Sequence, residues 1–206
     1  MLLRGIPGIV ECGLWDALAA APPSPRTYAV VTDIGNDVVY GMPPRQIARW
    51  VEQCVDRLDQ MHADIVLTQL PIACIREVPR WRFEALRRVL FPMHSISYVK
   101  AMAAAADLSE RLDQIAAAHH LETVPLAPAW YGLDPVHIRL KHWPRAWGEI
   151  LGRWSDVRLN GQMRPSLRRW LMLRRAMPQR WWLAGREIRT AQPSCVLPCG
   201  TTVSWY

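Results

Sequence analysis

Residues 28–37 have the sequence Tyr-Ala-Val-Val-Thr-Asp-Ile-Gly-Asn-Asp, and this stretch decides the fold class. Residues 28–32 form a short apolar run that is rich in β-branched side chains, which is typical of a buried strand. Gly35, Asn36 and Asp37 come at the carboxyl end of this run, and their residue types favour a turn. The stretch therefore predicts a buried strand that leads into a polar loop.

Strands and helices alternate downstream of this first strand. Two further strands are predicted at residues 64–69 and 122–125, and a loop at residues 70–74 follows the second. Apolar residues at the helical period predict helices over residues 43–61, 79–90 and 97–119. Such alternation implies parallel crossovers, so we expect an α/β sheet covered on both faces. Active sites in sheets of this kind lie at the carboxyl ends of the strands.

Four segments lie outside this pattern. A helix is predicted over residues 11–21, where a proline-rich turn stops it, and another helix over residues 143–154. Residues 164–189 are predicted to be helical or irregular, and residues 196–206, with Gly200 among them, to form a hairpin. We therefore divide the chain into an α/β domain, residues 1–154, and a basic C-terminal extension, residues 155–206.

The positive charge is concentrated in the C-terminal third. Residues 1–137 carry 12 Lys and Arg against 15 Asp and Glu, while residues 138–206 carry 13 against 3 and hold seven of the eleven tryptophans. A mixture of arginine and tryptophan can contact a membrane surface or phosphate backbones. It can equally dock onto its own domain, since arginine stems cover apolar surface while their charged heads stay in water. We expect docking, keep membrane-surface contact as an alternative, and do not expect nucleic acid as a partner.

Several classes of protein are disfavoured by composition. The apolar runs are too short to cross a bilayer, and residues 1–7 do not have the pattern of a signal peptide, so we expect a cytoplasmic protein. The five cysteines are an odd number and are expected to be reduced. Cys195 and Cys199 form a Cys-x3-Cys pair without a neighbouring histidine, which is a poor zinc signal. No metal and no cofactor are predicted.

Asp134 and His137 are the residues most suited to acid–base chemistry. Three positions apart on a loop after a strand, the carboxylate can accept a hydrogen bond from one imidazole nitrogen while the other faces a substrate. The same spacing also occurs in surface ion pairs, and Gly35-Asn36-Asp37 has an ordinary interpretation as a turn. Each motif taken singly leaves both interpretations open.

The order of these motifs resembles that of a known family. Residues 30–37, ending in Gly-Asn-Asp, and residues 132–137, Gly-Leu-Asp-Pro-Val-His, resemble the third and fifth sequence blocks of the SGNH (GDSL) hydrolases. Residues 4–8, Arg-Gly-Ile-Pro-Gly, are similar to the second block, with Gly8 lying 28 residues before Asn36. The resemblance covers roughly residues 4–151.

This resemblance implies a fold and a chemistry. The fold would be a flavodoxin-like, doubly wound parallel sheet, and the activity would be hydrolysis of a small-molecule ester or acyl substrate through an acyl-enzyme. His137 would be the general base, Asp134 would orient it, and Asn36 with the Gly8 amide would form the oxyanion hole. Asp37 is expected to stabilise the turn rather than to react. The oligomeric state is left open.

The family's nucleophilic serine has no counterpart in the chain. It belongs to a first block upstream of Gly8, and only seven residues precede that glycine. Ser24, Ser95, Ser97 and Cys12 are poor replacements, because an activated nucleophile must reach its base at about 2.6 to 3.2 Å. The strand at residues 28–32 would also lack its inner neighbour and leave an open edge.

Two hypotheses about activity follow. In the first, the recorded start lies inside a longer protein that supplies the serine; we favour it because residues 1–3 begin abruptly in what would be a loop. In the second, the chain is a decayed or partner-completed relative. Such a relative would be a catalytically inactive binding module that acts through its basic extension on a membrane surface or a protein partner.

Overall fold

The computed structural model describes residues 4–90, 96–135, 137–157 and 166–206. By their contacts these residues form two compact units. The central unit comprises Arg26–Met163, and the terminal unit comprises Met1–Pro25 together with Arg164–Tyr206. The helices are α1 (Leu14–Ala20), α2 (Asn36–Val39), α3 (Pro44–Asp59), α4 (Ile72–Arg76), α5 (Arg80–Leu90), α6 (Tyr98–Ala118), α7 (Trp143–Leu151) and α8 (Leu167–Leu173). The strands are β1 (Arg4–Gly5), β2 (Tyr28–Val31), β3 (Asp64–Thr68), β4 (Glu122–Val124), β5 (Arg180–Leu183), β6 (Arg186–Arg189), β7 (Cys195–Val196) and β8 (Thr202–Val203).

The central unit is built on a three-stranded parallel sheet in the order β2-β3-β4. Helix α3 connects β2 to β3, and the chain between β3 and β4 contains α4, α5 and α6. The prediction of an α/β fold with a parallel sheet is therefore confirmed. The predicted loop at residues 70–74 was wrong in part, because Ile72–Arg76 form the short helix α4.

Strand β3 lies at the centre of the sheet and is buried on both faces. Val66 packs with Val124 of β4 and Ile150 of α7, and Val30, Trp147 and Trp154 border this cluster. The opposite face carries the buried Ile65 and Leu67, and α3 packs against β3 and α6. A strand covered on both faces needs a continuous apolar sequence, which Ile65, Val66 and Leu67 supply.

Strand β2 pairs with β3 alone among the described residues, so it is an edge strand, as the sequence predicted. Polar and aromatic groups tie the start of β2 to the start of β3 and to the segment after α7. Arg26 Nε donates to Asp64 Oδ2 at 2.8 Å, and its Nη1 donates to Asp156 Oδ2 at 2.5 Å. The Tyr28 hydroxyl also donates to Asp156, and its ring lies 4.9 Å from that of Trp154.

The terminal unit contains two antiparallel sheets. Strand β1 pairs with β5, β5 pairs with β6, and β7 pairs with β8. The prediction of a helical or irregular segment over residues 164–189 was therefore wrong for its second half. Ala184 and Gly185 both have positive φ angles, which is the backbone of a tight two-residue hairpin turn. Alanine seldom adopts this backbone, so the residue types at positions 184 and 185 did not predict the turn.

The contacts divide the chain differently from the predicted boundary at residues 154 and 155. Residues 1–25 group with residues 164–206, because β1 is hydrogen-bonded to β5. The predicted hairpin around Gly200 agrees with β7 and β8, and the predicted helix over residues 11–21 is shorter, Leu14–Ala20. None of the described helices is long and apolar enough to cross a membrane.

Candidate active site

A cavity of about 370 Å³ opens at the carboxyl ends of β2 and β3 in the central unit. Thr32, which follows β2, and Thr68, the last residue of β3, both line it. The Thr68 hydroxyl is buried and donates to the Thr32 hydroxyl at 2.9 Å, which ties the two strand ends together. The cavity therefore lies where the parallel sheet predicted a site.

Most of the wall of this cavity is apolar. Helices α5 and α6 supply much of it, and α2, α4, the loop after β4 and α7 add further residues. The apolar side chains from α4 through α6 are Ile75, Val78, Phe83, Leu86, Ala101, Met102 and Ala105. The predicted sheet indicated where this cavity lies, but the sequence did not indicate which helices close it.

Asp134 and His137 lie together at this cavity and both line it. Asp134 Oδ2 is 2.6 Å from His137 Nδ1, and Asp134 Oδ1 accepts a hydrogen bond from the His137 backbone nitrogen at 3.3 Å. Nε2 is thus the ring nitrogen that is not bonded to Asp134. Because the His137 side chain is 65% exposed, this nitrogen is within reach of a molecule that enters the cavity. The geometry is that of an oriented general base.

The loop that carries this pair is anchored at its start by two aromatic residues. Trp130 and Tyr131 are buried and pack with Ala146 of α7, while Ile138 borders the same cluster just after the pair. Burial raises the pKa of the Tyr131 hydroxyl far above its usual value, with smaller contributions from Cys74 and Asp33. Tyr131 is therefore a neutral packing group at neutral pH.

Arg82 of α5 is a second anchor of the loop. Its Nε donates to the Leu133 carbonyl at 2.8 Å, and its Nη2 donates to the Gly132 carbonyl at 2.8 Å and to the Leu133 carbonyl as well. One guanidinium thus binds the two carbonyls directly before Asp134. Arg82 was not among the predicted site residues. Nothing in the spacing of a basic helix shows that one of its side chains reaches a loop fifty residues away.

The Asn36 segment meets the same cavity, but Asn36 itself is not among the lining residues. Thr32, Asp33, Ile34, Gly35 and Val38 line the cavity, whereas Asn36 is half-buried as the first residue of α2. A Cβ atom on Gly35 would lie 3.0 Å from Leu70 Cδ2, so this close approach favours glycine. The structure thus brings the two predicted segments together, and the oxyanion role of Asn36 stays a prediction.

Gly8, the other predicted oxyanion donor, lies in the terminal unit. It follows β1, which belongs to the antiparallel sheet with β5 rather than to the parallel sheet of the central unit. Its carbonyl accepts a hydrogen bond from the Glu11 backbone nitrogen at 3.0 Å in a turn before α1. The setting of Gly8 therefore differs from that of a glycine after a parallel strand, and its role stays a prediction.

Among the described residues that line the cavity there is no serine and no cysteine. Ser97 caps the N-terminus of α6 by accepting from the Lys100 backbone nitrogen. Ser24 and Cys12 belong to the terminal unit, and Ser95 lies outside the described residues. The hydroxyls at the cavity are those of Thr32, Thr68 and Tyr131.

His142 lies five residues beyond His137 and has a different environment. Its Nε2 is 3.2 Å from Arg139 Nη2, so the neutral imidazole is an acceptor for the guanidinium. Burial, followed by the charges of Arg139, Lys141 and Arg145, lowers the pKa of His142. His142 does not line the cavity.

No group of three or more His, Cys, Asp or Glu side chains within the described ranges is arranged to hold a metal ion. Cys195 is the first residue of β7 and Cys199 lies in the turn before β8, and none of the five cysteines, all of which are described, forms a disulfide.

The chain was compared with known proteins. It matches no protein-family model, and no curated protein is significantly similar to it.

Asp37, the second residue of α2, provides a test of the electrostatics beside the cavity. Burial, with a smaller contribution from Asp33, raises the pKa of Asp37. Below the unfolded-state pKa of about 3.9, such a carboxyl is protonated in both states and does not affect the free energy of unfolding. The destabilisation develops as the pH rises from the unfolded-state pKa through the folded-state pKa. Asp37→Asn should therefore increase the free energy of unfolding at pH 7 but not at pH 3, measured by urea denaturation.

The control for this prediction is Asp59→Asn, which changes an exposed carboxylate at the end of α3. It should not reproduce the gain at pH 7. If Asp37→Asn changes the free energy of unfolding equally at both pH values, ionisation of this half-buried carboxyl does not destabilise the fold.

Arg82 provides a test of how the Asp134–His137 loop is held. Arg82→Met keeps an apolar stem but removes the donors to Gly132 and Leu133. Because hydrogen bonds to a charged group contribute about 1.5 kcal/mol or more, amide hydrogen exchange across residues 132–139 should become about tenfold faster. Arg88→Met, at an exposed position of the same helix, should leave exchange in the loop unchanged. Equal effects of the two substitutions would rule out the anchoring role.

Proposed function

We propose that the central unit is an SGNH-type hydrolase domain acting on carboxylic esters. The observation that carries the proposal is the Asp134–His137 pair, hydrogen-bonded at 2.6 Å beside an apolar cavity at the carboxyl ends of β2 and β3. A histidine oriented by a carboxylate beside an apolar cavity suits proton transfer to and from an apolar ester.

The strand order supports the same proposal. In the doubly wound order 2-1-3-4-5, the third, fourth and fifth strands are neighbours, and β2, β3 and β4 are parallel neighbours in sequence order. Asn36 follows the first of them, and the Asp134–His137 loop follows the last. This order of strands and motifs is the one that the resemblance implies. The open edge of β2 is where the strand bearing the serine would pair.

In the proposed mechanism, His137 accepts and then donates the proton, and Asp134 stabilises its charged form. His137 Nε2 takes the hydroxyl proton of the nucleophilic serine as its oxygen attacks the ester carbonyl, and Asp134 stabilises the resulting imidazolium. The proton then passes to the departing alcohol, and water hydrolyses the acyl-enzyme by the same route. Asn36 would donate to the oxyanion, where one donor contributes roughly 3 kcal/mol. This mechanism requires a serine nucleophile, and the described residues that line the cavity include none.

A substitution at His137 tests this proposal. The 206-residue chain should hydrolyse p-nitrophenyl acetate no faster than buffer, whereas a version extended by the in-frame codons upstream should be active. In that version, His137→Gln should lower kcat at least about a hundredfold, since general base catalysis contributes that much or more. The measurement is steady-state release of p-nitrophenol.

His142→Gln is the matched control. Glutamine retains an acceptor for Arg139, and His142 does not line the cavity, so activity should stay near that of the unaltered protein. Hydrolysis by the 206-residue chain that survives His137→Gln would refute the assignment of the base. An extended version without activity would favour an inactive binding module.

The second candidate function is membrane-surface binding through α8 in the terminal unit. Leu167, Trp170 and Leu171 lie on one face of this helix, and their exposed fractions are 71%, 48% and 49%. Arg168, Arg169, Arg174 and Arg175 surround them, and no acidic residue occurs between residues 157 and 186. An apolar face among arginines fits an anionic lipid surface.

This second candidate predicts binding to vesicles. The 206-residue chain should sediment with phosphatidylserine-containing vesicles at low salt and much less with pure phosphatidylcholine, because each surface arginine contributes about 1 kcal/mol. Trp170→Ser with Leu171→Ser should weaken this binding at least about tenfold by removing apolar contact. Leu183→Ser, at an exposed position of β5, is the control and should bind normally. Equal binding by both variants would exclude α8 as the contact.

A further inference from the structure

The cavity of the central unit is large enough for an extended apolar chain. A buried cavity of about 150 Å³ holds one benzene ring, which has six carbon atoms. At about 370 Å³, the cavity here is roughly two and a half times larger. At that volume per carbon atom, about fifteen carbons would fill the cavity, and a chain of about twelve would fill about four fifths of it.

Two small residues on α6 help to create this space. Ala101 and Ala105 are four positions apart, so they lie on the same face of the helix, and both are buried and line the cavity. Leu108 and Leu112 continue the buried face of α6 toward its C-terminus and do not line the cavity. Met102 also lines the cavity, so the border that α6 gives it carries two methyl groups and one longer, half-buried side chain.

The polar groups of the cavity are few, and several are bonded to each other. Thr32 bonds to Thr68, and Asp134 bonds to His137. Arg87 forms an ion pair with Glu84 at 3.0 Å on the same helix. A sugar or a nucleotide requires many donors and acceptors, whereas an alkyl chain requires none. The other polar side chains of the lining are those of Asp33, Gln69 and Tyr131.

We infer that this cavity binds a linear acyl chain of about twelve carbon atoms, with its carbonyl end at His137 and its alkyl end among the side chains of α5 and α6. The choice of an acyl group, rather than any other apolar molecule, rests on the proposed function. The inference adds a substrate class to it: esters of medium-chain fatty acids, as opposed to acetyl esters.

The test uses linear methyl ketones, which carry an ester-like carbonyl but cannot be hydrolysed. Binding of ketones from about six to about sixteen carbons to the 206-residue chain is measured by isothermal titration calorimetry. Affinity should rise about fourfold for each added methylene until the chain has about twelve carbons, and then stop rising. No binding at any length, or an affinity that does not depend on length, would overturn the inference.

Ala105→Phe is the variant that fills the cavity, and Ala103→Phe is its control on an exposed position of the same helix. Ala105→Phe should weaken binding of the twelve-carbon ketone at least about fifteenfold, the equivalent of two methylenes, while Ala103→Phe binds normally. Equal binding by both folded variants would overturn the proposed location. If overpacking unfolds Ala105→Phe, the chain-length series on the unaltered protein decides alone.

Failure of this inference can be told apart from failure of the proposed function. Ketone binding requires no nucleophile, so length-dependent binding without hydrolysis by the extended version would support the chain-binding cavity and reject the esterase. Hydrolysis that depends on His137 but does not increase from acetate to dodecanoate esters would support the esterase and overturn the acyl-chain inference.

Discussion

The burial of β3 on both faces is the constraint on which the central unit depends. Ile65, Val66 and Leu67 are surrounded by α3 on one side and by the α7 cluster on the other, so no water reaches the strand. Its backbone groups must therefore bond to neighbouring strands on both edges, and β2 and β4 provide those bonds. Because all three strands are parallel, the loops after them emerge at the same end of the sheet, where the strands have their carboxyl ends. The cavity and the Asp134–His137 pair lie at that end of the sheet for this reason.

The candidate site combines an exposed reactive group with a well-anchored support. His137 is largely open to solvent, and an exposed ion pair of this kind contributes about 1 kcal/mol or less to stability. The position of the pair is instead determined by its neighbours: Trp130 and Tyr131 are buried upstream, Ile138 packs downstream, and Arg82 binds the intervening carbonyls. On the other side of the cavity, the positive φ of Asp33 turns the chain sharply after β2. A precise geometry can therefore exist at a site that adds little to the stability of the fold.

The two ends of the chain show where local sequence signals were insufficient. Residues 180–189 contain strongly basic and aromatic segments that sequence reasoning assigned to a helical or irregular structure, yet they form β5 and β6. The two-residue strand β1 is too short for any periodic signal, and its pairing with β5 joins residues more than 170 positions apart. Such pairing depends on hydrogen bonds between distant segments, so the division of the chain into units followed from contacts rather than from a change in composition.

The sequence by itself determined the parallel sheet, the main helices and the two motifs, because periodic burial and residue type act locally and leave a readable pattern. It also determined that the Asp134 carboxylate and the His137 ring are close, since three residues on a loop span a short distance. The tertiary structure alone decided which segments close the cavity, that Gly35 rather than Asn36 lines it, and that Arg82 holds the loop. These features join α5 and α6 to loops that are distant in sequence. Distances of that kind arise from packing in three dimensions, and no spacing along the chain encodes them.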